Sequence, residues 1–97
     1  MALIIKWSKK VDKDIEKIIG YLENEWNEKV AGDFVKKVYT AELISLFPLM
    51  GSIIYRNKNI RGILISEHTR LYYRIKNTSV IILKLFDTRK NPKSLKF

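Results

Sequence analysis

Arg70, Tyr72, Arg74 and Lys76 recur at every second position of one short segment. If that segment is a strand, alternate side chains leave on opposite sides. These four then share one face, and Leu71, Tyr73 and Ile75 share the other, which is assigned to the core. A guanidinium group is a planar fork that grips phosphate or carboxylate at two points. A tyrosine ring stacks on an unpaired base or packs against a peptide. Lysines alone would read as a solvated surface. Arginine alternating with tyrosine reads as a binding face for a polyanionic or acidic partner. Arg61 opens the strand before, and Arg89 follows the strand after. In a meander these ends meet at one rim, so Arg61, Arg70 and Arg89 are expected to converge on one edge of the face.

The charge distribution agrees. Residues 1–48 hold eight lysines and eight acids, whereas residues 49–97 hold eleven basic residues against Glu67 and Asp87. All five arginines and the whole net charge of +9 fall in the second half. Segregation of this size gives the molecule a directed field. Glu67 and Asp87 are the carboxylates near the basic face. Glu67 is read as an ion-pair partner for an arginine, or else as a general base. His68, the one histidine, lies at the turn into the Arg70 strand and reads as an exposed turn residue at the edge of the binding face. With one histidine and no cysteine, no transition-metal site is expected. The four glycines are isolated, so neither a phosphate loop nor a nucleophile elbow is present. No cofactor is implied.

Two helices and four strands must position these residues. Leu3–Trp7 is a short apolar run that reads as a strand, and Ser8 follows as a helix cap. Val11, Ile15, Ile18, Ile19 and Leu22 then recur at helical spacing, as far as Glu25–Trp26. Asn27 caps a second helix with Val30, Phe34, Val35, Val38, Ala41 and Ile44 on one face. Phe47-Pro48 stops it, and Gly51 marks a turn. Both stripes read as core. Ile60–Ile65, Thr69–Lys76 and Val80–Phe86 are the later strands, the last two joined through Asn77-Thr78-Ser79. The expected fold class is α+β in the order β-α-α-β-β-β. A helical hairpin packs on one face of a small, mainly antiparallel four-stranded sheet, leaving the other face for function. Trp26 and Tyr39 are candidates for either the core or a partner contact.

At 97 residues, with 46% hydrophobic and 30% charged residues, the chain is expected to form one domain, 1–97, with a modest core. The absence of cysteine excludes a disulfide framework. The apolar start is too short for a signal peptide, and no stretch approaches the ~20 apolar residues of a membrane span. A cytoplasmic protein with no membrane partner is expected.

Four stretches carry a resemblance. They are Ile5-Lys6-Trp7-Ser8 followed by Asp12, Asp14 and Ile15, then Phe47-Pro48-Leu49-Met50-Gly51, then Ile60-Arg61-Gly62 leading to Arg70-Leu71-Tyr72-Tyr73-Arg74-Ile75, and last Leu85-Phe86-Asp87-Thr88-Arg89-Lys90-Asn91-Pro92. In this order, nearly end to end, they resemble toxins of the RelE/ParE superfamily from bacterial type II toxin–antitoxin modules.

The resemblance implies a toxin that stops bacterial growth by poisoning an essential target and is neutralised by a cognate acidic antitoxin that folds as it docks. A toxin–antitoxin hetero-oligomer is one assembly open to it. RelE-like members cut mRNA on the ribosome, and ParE-like members poison DNA gyrase. In a nuclease the RNA's own 2′-OH attacks, and the resemblance would make Arg70, Arg89 and Glu67 the catalytic residues. The tail Asp87–Phe97 has neither the histidine nor the tyrosine that cutting members often carry there. Its Arg89, Pro92 and Leu95 look like the ending of ParE-like members, so the gyrase branch is favoured. A target- or antitoxin-binding set of Arg61, His68, Arg70, Tyr72, Arg74, Lys76 and Arg89 follows. A ribosome-dependent mRNA endoribonuclease is the alternative. A non-toxic nucleic-acid-binding module is the further one.

Overall fold

The computed structural model describes residues 3–56 and 58–88. Strand β1, Ile4–Trp7, turns Ile5 and Trp7 onto the core and leaves Ile4 outside. Helix α1, Lys9–Glu25, begins where the Ser8 hydroxyl accepts the Val11 N–H at 3.2 Å, satisfying one of the unpaired donors of the first turn. Helix α2, Glu28–Tyr39, is capped in the same way by Asn27, whose Oδ1 accepts the Val30 N–H at 2.9 Å. Glu28 in its first turn, with Lys36 and Lys37 in its last, complements the helix dipole.

The second helix is expected to run unbroken to Phe47, but it does not. A 3-10 turn over Thr40–Glu42 separates α2 from the short helix α3, Leu43–Leu46. The Thr40 hydroxyl donates to the Lys37 carbonyl at 2.5 Å, and the Ser45 hydroxyl donates to the Glu42 carbonyl at 2.7 Å. Hydroxyls that compete for backbone carbonyls in this way tighten or bend a helix. Pro48 then ends α3, as its restriction on the preceding residue requires.

The sheet has five strands where four are expected, in the order β1-β5-β4-β3-β2. The additional strand is β2, Ser52–Tyr55. Four residues are too few for alternation to register in the sequence, and pairing with a neighbour defines the strand instead. β3 (Ile60–Ser66), β4 (Thr69–Lys76) and β5 (Ser79–Asp87) form the expected antiparallel meander. β1 joins parallel to β5, with Ile4 opposite Ser79 and Trp7 opposite Ile82. Asn59 and Asn77, both at φ 55°, occupy the left-handed region in the two turns where it is needed, and asparagine tolerates it better than most residues.

The helices cover one face of the sheet. Val11, Phe34, Val38, Ala41 and Ile44 pack there against Leu71, Tyr73, Val80, Ile82 and Leu85. A β-bulge in β5 breaks the strict alternation, because Tyr72 pairs with Lys84 while Tyr73 pairs with Ile82. Leu85 therefore joins Val80 and Ile82 in the main core. Phe86 lands on the opposite face, where it forms a second small cluster with Ile60 and Tyr72.

Candidate functional site: the arginine face

β4 lies between β3 and β5, so its outward residues occupy the middle of the uncovered face. Register places Arg70 between Leu64 and Phe86, Tyr72 between Gly62 and Lys84, and Arg74 between Ile60 and Ile81. Lys76 lies opposite Ser79, and Lys6 of β1 lies opposite Ile81. Lys6, Arg70, Arg74, Lys76 and Lys84 thus share one face. None of the residues paired with them is acidic. Lys84 and Lys6 are absent from the sequence-based site. Lys84 is placed by the bulge, which the sequence does not reveal, and Lys6 by the parallel pairing of β1.

Leu71 and Tyr73 are completely buried on the helix side, as expected, and Ile75 packs against the same core. Arg74 and Lys76 are exposed as expected. Tyr72 is a correction. It is on the expected face but only 6% exposed, packed with Ile60 and Phe86. Gly62 makes room for it: a β-carbon there would lie 3.0 Å from Tyr72 Cε1 and 3.2 Å from Arg70 Cδ. The tyrosine ring and the arginine stem are both laid over a strand position that has no side chain. The ring therefore does not offer a free stacking surface. It lies beside the Arg70 stem over Gly62. The Arg70 Nε is buried with no hydrogen-bond partner. A buried, unanswered donor is costly.

Arg61 is the second correction. It pairs with Tyr73, so it leaves β3 on the helix-bearing side and does not converge with Arg70. Its Nη1 donates to the Gly51 carbonyl at 2.8 Å and to the Leu49 carbonyl at 3.4 Å. Tyr73 reaches the same turn. Its hydroxyl accepts the Gly51 N–H at 2.9 Å and donates to the Pro48 carbonyl at 2.7 Å. Burial pushes the Tyr73 phenol above its ordinary value, opposed by the Gly51 N–H and the nearby Arg61 charge. Arg61 and Tyr73 together hold the Pro48–Gly51 turn. Arg89, the third arginine of the expected rim, lies outside the described residues.

Glu67 and His68 form the tight turn between β3 and β4. Glu67 Oε1 lies 3.6 Å from His68 Nε2, an ion-pair geometry that is charged on both sides when the imidazole is protonated. Glu67 therefore pairs with His68, where an arginine is the expected partner. His68 also fixes the end of β5 through its backbone, since its carbonyl accepts the Thr88 N–H at 2.9 Å. Trp26 and Tyr39 are 67% and 61% exposed, which makes them surface residues.

A groove of about 890 Å³ runs between the helical hairpin and the ends of β4 and β5. Ile18, Leu22 and Phe34 supply apolar lining, and Asp33 and Lys37 carry opposite charges at its sides. Its mixed charge contrasts with the all-cationic strand face. Among the described residues no cluster of histidines or acids is arranged to hold a metal ion, and no helix is long and apolar enough to cross a membrane.

A helical hairpin on one side of a mixed sheet, with arginines and lysines on the other, is a fold shared with solved toxin–antitoxin proteins. The fold is similar to the chromosomal ParDE toxin–antitoxin system of P. aeruginosa, at 15% identity and TM-score 0.75, covering 89% of this chain and 96% of that one. It is also similar to the RelBE2 toxin–antitoxin complex of Mycobacterium tuberculosis, at 18% identity and TM-score 0.60, covering 90% and 99%. No curated protein sequence matches the chain. Residues 5–92 match the family described as the ParE toxin of type II toxin–antitoxin systems, parDE. The chain belongs to that family and is the toxin component of such a system.

Proposed function

We propose that this toxin arrests growth by binding and poisoning DNA gyrase, and that a cognate acidic antitoxin neutralises it. The observation that carries the reading is the packing of Tyr72. Tyr72, the tyrosine in the middle of the arginine face, is buried at 6% exposure, so it is poorly placed to protonate a leaving oxygen. General acid–base help is typically worth about 10²–10⁴-fold in rate, and the tail from Arg89 onward supplies neither histidine nor tyrosine. What the face does offer is charge, with Arg70 braced and Arg74 exposed. That equips it to bind.

The antitoxin reading rests on the same charge and on the groove. An acidic segment that folds on docking places its carboxylates at Arg70, Arg74 and Lys76. Its apolar side chains meet Ile18, Leu22 and Phe34 along the hairpin. Arg74→Glu tests the charge term: it is expected to weaken the antitoxin complex.

The target is tested with two assays run in parallel. In a supercoiling reaction the purified toxin is expected to inhibit gyrase and leave trapped DNA breaks, with mRNA in a translating extract left intact. Cleaved mRNA, lost on Arg70→Ala with the fold retained, would replace this reading with the endoribonuclease. Binding to naked RNA or duplex with a steep salt dependence, together with harmless expression in the absence of antitoxin, would replace it with the nucleic-acid-binding module.

A further inference from the structure

A second groove, of about 400 Å³, lies between α1 and α2 and is completed by Trp7 of β1. Sites for small ligands commonly span about 300–1,000 Å³. Trp7 and Tyr39 give this groove two aromatic rings, Ile19 and Val35 give it aliphatic walls, and Asp12 and Glu16 give it two carboxylates. Among the described residues no lysine or arginine lines it, in a chain that has 19 of them and a net charge of +9. The larger groove differs, because Lys17, Lys37 and Lys84 line it.

Asp12 lies in the first turn of α1, where the helix dipole favours an acid. Glu16 lies one turn further on, beyond that influence. The two are four positions apart and face the same way, and like charges at this spacing weaken a helix. Among the described residues neither side chain has a hydrogen bond or an ion pair. A cation between them would turn this repulsion into attraction. Tyr39 is 61% exposed, so its ring is open to a ligand. Trp7 is partly buried against the core, which fixes its place.

We infer that this groove is a binding site for a small organic cation, an alkylammonium head group whose alkyl surface lies against Trp7 and Tyr39 while its charge faces Asp12 and Glu16. Aromatic faces attract such cations, tryptophan most of all. An anion is repelled by the two carboxylates. A hard metal ion needs several oxygen ligands, and among the described residues no three acids or histidines are gathered to hold one. The groove lies on the helix-bearing side, away from Arg70 and Arg74. The inference stands whether or not gyrase is the target.

The probe is choline, titrated into the full chain carrying Trp26→Phe, which leaves Trp7 as its only tryptophan. Trp7 fluorescence is expected to change saturably, with a dissociation constant in the millimolar range or tighter. The uncharged isostere of choline, in which carbon replaces nitrogen, is expected to bind at least about tenfold more weakly. That comparison leaves the groove unaltered and so is free of misfolding. Asp12→Asn combined with Glu16→Gln, and separately Tyr39→Leu, are each expected to weaken choline binding at least about tenfold, with the circular dichroism spectrum unchanged. Glu23→Gln removes an exposed acid of the same helix outside the groove and is expected to leave the affinity within about threefold. The inference is overturned if choline gives no saturable change, if the isostere binds as tightly, or if the groove variants weaken binding no more than Glu23→Gln does. It is equally overturned if sedimentation shows a dimer that Tyr39→Leu dissolves, since a lysine of a second copy is then the occupant.

Discussion

The Gly51 backbone N–H donates to the Tyr73 phenol oxygen at 2.9 Å, and a β-carbon at Gly51 would lie 2.7 Å from that oxygen. The contact joins the turn after α3 to the middle of the sheet across 22 residues of chain. It explains why this turn takes glycine where any larger residue would push the tyrosine out of place.

Tyr73→Phe is therefore expected to cost about 1–3 kcal/mol, because it leaves the Gly51 N–H and the Pro48 carbonyl unanswered in a buried place. Tyr73→Ala adds a cavity and is expected to cost about 3–5 kcal/mol. Urea denaturation of the two variants measures both. A Tyr73→Ala loss no larger than that of an exposed site would refute the core assignment.

The raised phenol pKa also fixes a direction in pH. The folded chain keeps this proton at pH values where the unfolded chain has released it. Stability from Tyr73 is thus complete below the ordinary value of 10.0 and falls as pH climbs from there through the higher folded value. Wild type and Tyr73→Phe are expected to show a stability gap that is constant at neutral pH and narrows above pH 10.0. Denaturation midpoints across the alkaline range test this, and a gap that widens would contradict it.

Gly62→Ala places a methyl group 3.0 Å from the Tyr72 ring and 3.2 Å from the Arg70 stem. One or both must move. The expected cost is about 1–3 kcal/mol, as for an overpacked site, together with a changed tyrosine signal in the near-ultraviolet dichroism. A variant with wild-type stability and spectrum would show that the ring and stem are not seated over Gly62.

Arg74→Glu reverses an exposed charge, and a change of this kind usually stays within about 0.5 kcal/mol of wild-type stability. It is nonetheless expected to weaken the antitoxin complex or the toxicity. Arg61→Ala is expected to behave in the opposite sense, losing stability by releasing the 48–51 turn. Melting curves alongside antitoxin titration separate the two arginines. An Arg74→Glu protein that unfolds would mean that the two faces of β4 have been exchanged.

The faces of β4 were legible because alternation along a single regular strand needs no partner to define it. The helix starts were legible because Ser8 and Asn27 cap through residues only three positions away. Arg61 was not, since its side is set by pairing with Tyr73 and its role by carbonyls ten or more residues away. Phe86 and Lys84 depend on a bulge, which shifts parity by one position and leaves no mark in composition. Tyr72 has the expected direction and the unexpected burial. Direction comes from the strand, while burial comes from Ile60 and Phe86 on its neighbours.

Among the described residues, the last strand in the chain does not lie at the border of the sheet. β5 is inserted between β1 and β4, and Ile4 waits for Ser79 before it has a neighbour to hydrogen-bond. Contacts so distant along the chain are slow to form, since the intervening polymer must first be gathered in. Until residues 79–87 are in place, β1 has no strand to pair with. The cationic face, which spans β4 and β5, is complete only once residues 79–87 have joined the sheet.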